Sequence, residues 1–209
     1  LLLPLIGATD LDDWPGGIQQ QFKAVLPMVE TVLKGLKQEE GLQGALDAAI
    51  IDQGDAVGQW KGEKLGAVVF PTGQTLKNVK SLAEDASRLV LMINPQWQGG
   101  QIINDFGIGP WRKASEDFVD AFEEVYHLSQ KRIQGDECRL LRSYPGKWQV
   151  HVVDTSGELP CVGIEDNKPS YERLSEILKA VPGSKASQTW DERLRSEMQF
   201  VNDSLKPPQ

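Results

Sequence analysis

Leu65-Gly66-Ala67-Val68-Val69-Phe70, Leu76 to Ala86 and Leu89-Val90-Leu91-Met92-Ile93 are the stretches that decide the fold. The two outer runs are short and apolar, as strands buried on both faces are. Between them Leu76, Val79, Leu82 and Ala86 recur at helical spacing, and Pro71-Thr72-Gly73-Gln74-Thr75 turns the chain out of the first run. Strand, helix and strand with short connections form a βαβ unit on a parallel sheet.

Upstream of this unit, Ile18, Phe22, Val25, Val29, Val32 and Leu36 mark a helix that Pro27 kinks or divides. Residues 37–64 are polar with five glycines and read as a loop or insertion, with a short helix or strand at Ala45 to Ile51. Leu1 to Ile6 reads as a strand, and a breaker-rich loop follows it to Gly17. Downstream, Asn94 to Pro110 is a long loop. A helix then carries the stripe Trp111, Ala114, Phe118, Ala121, Phe122 and Val125. From Tyr126 the pattern changes to strands at Tyr126–Gln134, Cys138–Tyr144, Trp148–Asp154 and Leu159–Glu165, with Pro145-Gly146 turning a hairpin. Ser170 starts a helix that runs to Val181. The expected fold class is α/β, a single three-layer domain over residues 1–184. Its mixed sheet has a parallel βαβ half and an antiparallel C-terminal hairpin. A C-terminal helical extension follows over residues 185–209, where Trp190, Leu194, Met198, Val201 and Leu205 form an amphipathic stripe. Two readings of that stripe stand: it packs back on its own domain, or it enters a partner's groove.

The 209 residues carry 22 basic and 30 acidic side chains, a net charge of −8. This balance argues against a general nucleic-acid binder and against docking on an anionic membrane by charge alone. No apolar run approaches the length of a transmembrane helix. Leu1 to Ile6 lacks the basic flank of an intact signal peptide, so any targeting information is expected upstream of Leu1. Cys138 and Cys161 read as small buried thiols, or as a bridge if their strands are neighbours. With His127 and His151 they have no metal-ligand spacing, so neither a metal nor any other cofactor is expected.

Ligands of open α/β sheets sit beyond the carboxyl ends of the strands. Three loops are placed to meet there: Asp10 to Gly17, Pro71 to Thr75, and Asn94 to Trp111. They bring Trp14, Trp97, Trp111 and Arg112 as candidate partner-binding residues, joined by Trp190, Leu194 and Met198 of the tail. The other reading of the loop tryptophans is that they cover the edge of the core. Thr72, Gly73, Asn94 and Asp105 form a candidate ligand loop, because a helix N-terminus attracts anions. The loop lacks the glycine and lysine spacing of a P-loop. Asp105-Phe106-Gly107 lacks the companion motifs of a kinase. Asp10, Asp12 and Asp13 lack the ligand alternation of a calcium loop. Neither histidine has an obvious serine or cysteine nucleophile with an orienting acid beside it, so no catalytic residue is expected.

The stretch Arg139-Leu140-Leu141-Arg142-Ser143-Tyr144-Pro145-Gly146-Lys147-Trp148-Gln149-Val150 is distinctive, as is Thr155-Ser156-Gly157-Glu158-Leu159-Pro160-Cys161-Val162 after it. Together they resemble the C-terminal part of a domain-of-unknown-function family found in plastids and cyanobacteria, which includes the low-photosystem-II-accumulation assembly factor. Leu65 to Pro71, Leu89 to Trp97 and Asp105 to Arg112 are similar to its other stretches, with Thr72 where the family pattern has an acid. The resemblance spans residues 1–181. It implies a chloroplast protein, in the stroma or at the stromal face of the thylakoid, and an α/β domain. It carries over no catalytic residue. The physical reading of Tyr144-Pro145-Gly146 is a tight turn, with Tyr144 and Trp148 placed to pair across it.

The expected function is therefore a non-catalytic auxiliary protein binding photosystem subunits, most of all those of photosystem II, or other assembly factors. It would be peripheral to the membrane through protein contacts and would bind no nucleic acid. The alternative is a small-molecule or nucleotide-binding plastid enzyme with its site at the strand-end loops.

Overall fold

The structure, a computed structural model, describes residues 17–97, 109–154 and 157–188. The chain divides into two compact units, residues 1–123 and 124–209.

The first unit is a three-layer α/β arrangement. Its elements are α1 (Gly17–Leu36), β1 (Asp47–Asp52), β2 (Val57–Lys61), β3 (Leu65–Val69), α2 (Leu76–Ala83), β4 (Leu89–Ile93) and α3 (Pro110–Asp120). The strands lie in the order β1-β2-β3-β4. β3 and β4 are parallel, from Leu65 opposite Leu89 to Val69 opposite Ile93, with α2 between them in sequence. β1 and β2 continue the sheet antiparallel. Period-2 alternation divides β3 between two cores. Leu65, Ala67 and Val69 face Phe22, Val25, Val29 and Leu33, the stripe of α1. Val68 joins Val57, Leu76, Val79 and Leu82 on the opposite face, where Phe118, Val119 and Phe122 also pack. Such double burial is why β3 is uniformly apolar. Two expectations change here. Pro27 lies inside α1 without dividing it. The stretch from 37 to 64, expected mostly as a loop, supplies two strands: β1, where a short helix or strand was expected at Ala45 to Ile51, and β2, which was not expected.

The second unit is an antiparallel meander with a helix on one face. It comprises β5 (Tyr126–Ile133), β6 (Asp136–Ser143), β7 (Trp148–Val152), β8 (Cys161–Glu165), α4 (Tyr171–Lys179) and a 3-10 turn at Lys185–Ser187. Cys138, Leu140, Trp148, Val150 and Val152 point to one side and bury Leu174 and Leu178 of α4. Gly163 lets α4 pack closely there: a Cβ at that position would sit 3.0 Å from Ile177 of α4, whose side chain would have to give way. Ser170 caps α4, its side chain accepting from the Arg173 N–H. Ala186 is part of the same core, so the first residues after 184 pack on this unit. Residues 189–209, with the rest of the expected tail helix, lie outside the described residues.

Both expected strand patterns, parallel βαβ and antiparallel hairpin, are present. Among the described residues the structure distributes them over two four-stranded sheets, the first with a core on each face and the second with a core beneath α4, where a single mixed sheet was expected. β7 lies between β6 and β8, so Cys138 and Cys161 are not on neighbouring strands and both thiols are free. Cys138 is buried as expected, whereas Cys161 is exposed because β8 is an edge strand among the described residues. No helix among the described residues is long and apolar enough to cross a membrane.

Candidate functional site

At the carboxyl ends of β3 and β4 the chain leaves both strands in the left-handed region, at Phe70 (φ 56) and Asn94 (φ 46). For a bulky residue such as Phe70 this is costly and needs support from its surroundings. The Phe70 N–H donates to the Ile93 carbonyl at 2.9 Å. Gln96 then ties three segments together. Its backbone N–H donates to the Pro71 carbonyl at 2.9 Å, and Nε2 donates to the carbonyls of Phe70 and Asp55 at 2.9 and 2.8 Å. The next turn closes on itself. Thr75 Oγ1 accepts from the Thr72 N–H at 2.8 Å, and Thr72 Oγ1 accepts from the Thr75 N–H at 3.4 Å.

Thr72, Gly73 and Asn94 therefore do lie at one sheet edge. The threonine hydroxyls there are engaged with their own backbone. Trp97 packs partly buried against the core beneath α2. Trp111, on the first turn of α3, is 80% exposed. Its neighbour Arg112 is paired with Glu116 at 2.8 Å, one turn along the helix. Trp14, Asp105, Trp190, Leu194 and Met198 lie outside the described residues.

A groove that the sequence did not announce runs between α1 and the β1–β2 hairpin. It has a volume of about 240 Å³ and is lined by Phe22, Leu26 and Glu30 of α1, Ala48, Ala49 and Ile50 of β1, and Gly58 and Trp60 of β2. Gly58 allows the Phe22 ring to pack against the strand, since a Cβ there would approach the ring to 2.7 Å. β1 is an edge strand of the described sheet, and Ile50 is 50% exposed. Glu30 is the single charged residue of the lining, and Asp47 and Asp52 stand at the two ends of β1. The surface is thus apolar, concave and acidic at its margin. The alternation in Asp47-Ala48-Ala49-Ile50-Ile51-Asp52 is too weak to signal it.

The second unit holds a polar cluster around buried Trp148, which is 2% exposed. His127 packs edge-on against the Trp148 ring at 5.1 Å between centroids. Arg142, opposite His127 in the β5–β6 ladder, lies 5.5 Å from that ring, and Lys168 lies 5.2 Å from it. His127 Nδ1 meets Glu124 Oε1 at 2.6 Å, and Nε2 meets Ser129 Oγ at 2.8 Å. Lys168 donates to both Glu124 oxygens at 3.1 and 3.3 Å. The hydrogen bond from His127, with Lys168 behind it, holds the Glu124 carboxyl down at about 2 against the desolvation that opposes it. The expectation that neither histidine has an orienting acid and a hydroxyl beside it is corrected at His127. Residues 127 and 129 share a strand face. Tyr144, expected to pair with Trp148 across the turn, is instead 58% exposed. Among the described residues no three His, Cys, Asp or Glu side chains group to hold a metal ion.

Residues 9–176, well over half of the chain, match the family described as "Domain of unknown function (DUF1995)". No curated protein and no solved structure matches the chain.

Proposed function

We propose for this chain, which belongs to the DUF1995 family, the role of an auxiliary protein that binds photosystem subunits or assembly intermediates at the stromal face of the thylakoid. Photosystem II is the first client to test. The observation that carries the binding role is the open apolar groove beside edge strand β1. A concave apolar surface next to a strand edge that is unpaired among the described residues suits an extended polypeptide segment, which adds a strand and sets alternate side chains into the groove. Glu30, Asp47 and Asp52 at the margin favour a segment whose apolar residues alternate with lysine or arginine. Exposed Trp111 offers a second aromatic anchor on the same unit. The photosystem client and the plastid location rest on the resemblance carried by Arg139 to Val150. The strand-end loops support a ligand-binding enzyme less well, because the Thr72 and Thr75 hydroxyls are occupied by their own turn.

Tagged wild type and Ile50→Glu, both passed over mildly solubilised thylakoids, test this reading. Wild type is expected to retain photosystem subunits identified by mass spectrometry. The variant, which places a charge at a half-exposed position, is expected to melt like wild type and to retain roughly tenfold less, the equivalent of about 1.4 kcal/mol. Recovery of wild type without photosystem subunits would remove the client. Equal recovery with Ile50→Glu would remove the groove.

A further inference from the structure

We infer that Ser129 is a nucleophile activated by His127 and Glu124, a serine–histidine–glutamate relay at the start of β5 that acts on small acyl esters. The inference is independent of the groove, which belongs to the other unit. Three geometric observations carry it.

First, the contacts are in the order the chemistry needs. The acid sits on Nδ1 at 2.6 Å and the hydroxyl on Nε2 at 2.8 Å, at opposite nitrogens of one ring. Second, the acid is fixed. Lys168 holds both Glu124 oxygens, so the carboxylate is ionised and accepts the Nδ1 proton. In the neutral imidazole Nε2 is then the acceptor, and the Ser129 hydroxyl donates to it. Third, the imidazole is fixed. Its ring lies edge-on to Trp148, a core residue that cannot swing away. Arg142, in register with His127 on the adjacent strand, supplies positive charge beside the site.

The balanced reaction follows from these placements. Ser129 Oγ attacks the carbonyl carbon of the ester while its proton passes to His127 Nε2. The carbon–oxygen bond to the leaving alcohol breaks, and His127 returns the proton to the departing oxygen. Water then attacks the acyl-serine, gives its proton to Nε2, and releases the carboxylic acid as that proton returns to Ser129.

The full chain is treated with an alkyl fluorophosphonate, which forms an Oγ–P bond and releases fluoride, and separately with p-nitrophenyl acetate. One phosphonyl group is expected on the peptide carrying Ser129, together with nitrophenolate release. Both are lost in Ser129→Ala. His127→Gln and Glu124→Gln, each checked for wild-type circular dichroism, are both expected to slow labelling of Ser129, His127→Gln by about a hundredfold or more. A histidine that merely braced the strand would leave Ser129 as inert as any surface serine. Absence of either Ser129-dependent signal overturns the inference. So does labelling of either folded His127 or Glu124 variant at the wild-type rate.

Discussion

Glu124 ties two parts of the second unit together: Lys168 from the segment before α4 and His127 from β5 both donate to it. Its carboxyl is drawn from 4.5 to about 2 in the folded chain. The depressed value fixes the sign of the pH dependence. The carboxylate is favoured by folding, so its contribution is complete above about pH 4.5 and is lost as the pH falls towards 2. Partial exposure of the group screens the magnitude. Urea midpoints measured between pH 5 and pH 2.5 are therefore expected to fall more steeply for wild type than for Glu124→Gln. Parallel slopes would show that the carboxylate is not coupled to folding. Part of this cluster was legible in the sequence and part was not. His127 and Ser129 are two residues apart in a segment recognised as a strand, and period 2 puts them on one face. Glu124 precedes the strand, where no period fixes a side chain's direction. Trp148 shares its parity with Val150 and Val152, which explains why it enters the core and does not pair with Tyr144.

Among the elements, the 3-10 turn at Lys185–Ser187 is tied to β6 by one side chain, beside its own cap, in which Ser184 Oγ accepts from the Ala186 N–H. Asp136, at the start of β6, accepts from Ser184 Oγ at 2.6 Å and from the N–H groups of Lys185 and Ala186 at 2.9 Å each. Ala186 is buried in the core that this lock closes. Asp136→Ala removes the acceptor and leaves buried donors without it, so a loss of about 2–3 kcal/mol is expected in urea unfolding. A loss below about 0.5 kcal/mol, the scale of an ordinary surface change, would show that the lock does not hold the turn. The elements that were legible are those with a dense apolar period: α1, β3, α2, β4 and the strands of the meander. β1 was legible only as a short helix or strand, because exposed Asp47, Ala48 and Ala49 give no alternation and Ile50 and Ile51 alone do not set a period. β2 was hidden by Gly58, whose missing side chain makes room for Phe22. The stripe expected to continue to Val125 stops with α3 at Asp120. Its first member, Trp111, remains in solvent.

At the scale of the molecule, strand type was readable and strand partnership was not. A parallel pair and an antiparallel meander were each evident, yet nothing in local pattern states whether they share a sheet. Each unit settles that by burying its own apolar face: β3 between α1 and α2, and β6–β7 beneath α4. Among the described residues every strand pairing is within one unit, and the second unit's helix cap, buried lock and Glu124 cluster are all built from residues after 123. The physical consequence is autonomy. Residues 124–209 produced alone are expected to fold, with a β-rich circular dichroism spectrum and one cooperative thermal transition. A small unit whose described residues place one α-helix over four strands has little margin, so a midpoint lower than that of the full chain is consistent with this expectation. The decisive observable is cooperativity. A sloping melt without a transition, together with collapsed amide dispersion in a proton spectrum, would mean that the meander needs the first unit to hold its core.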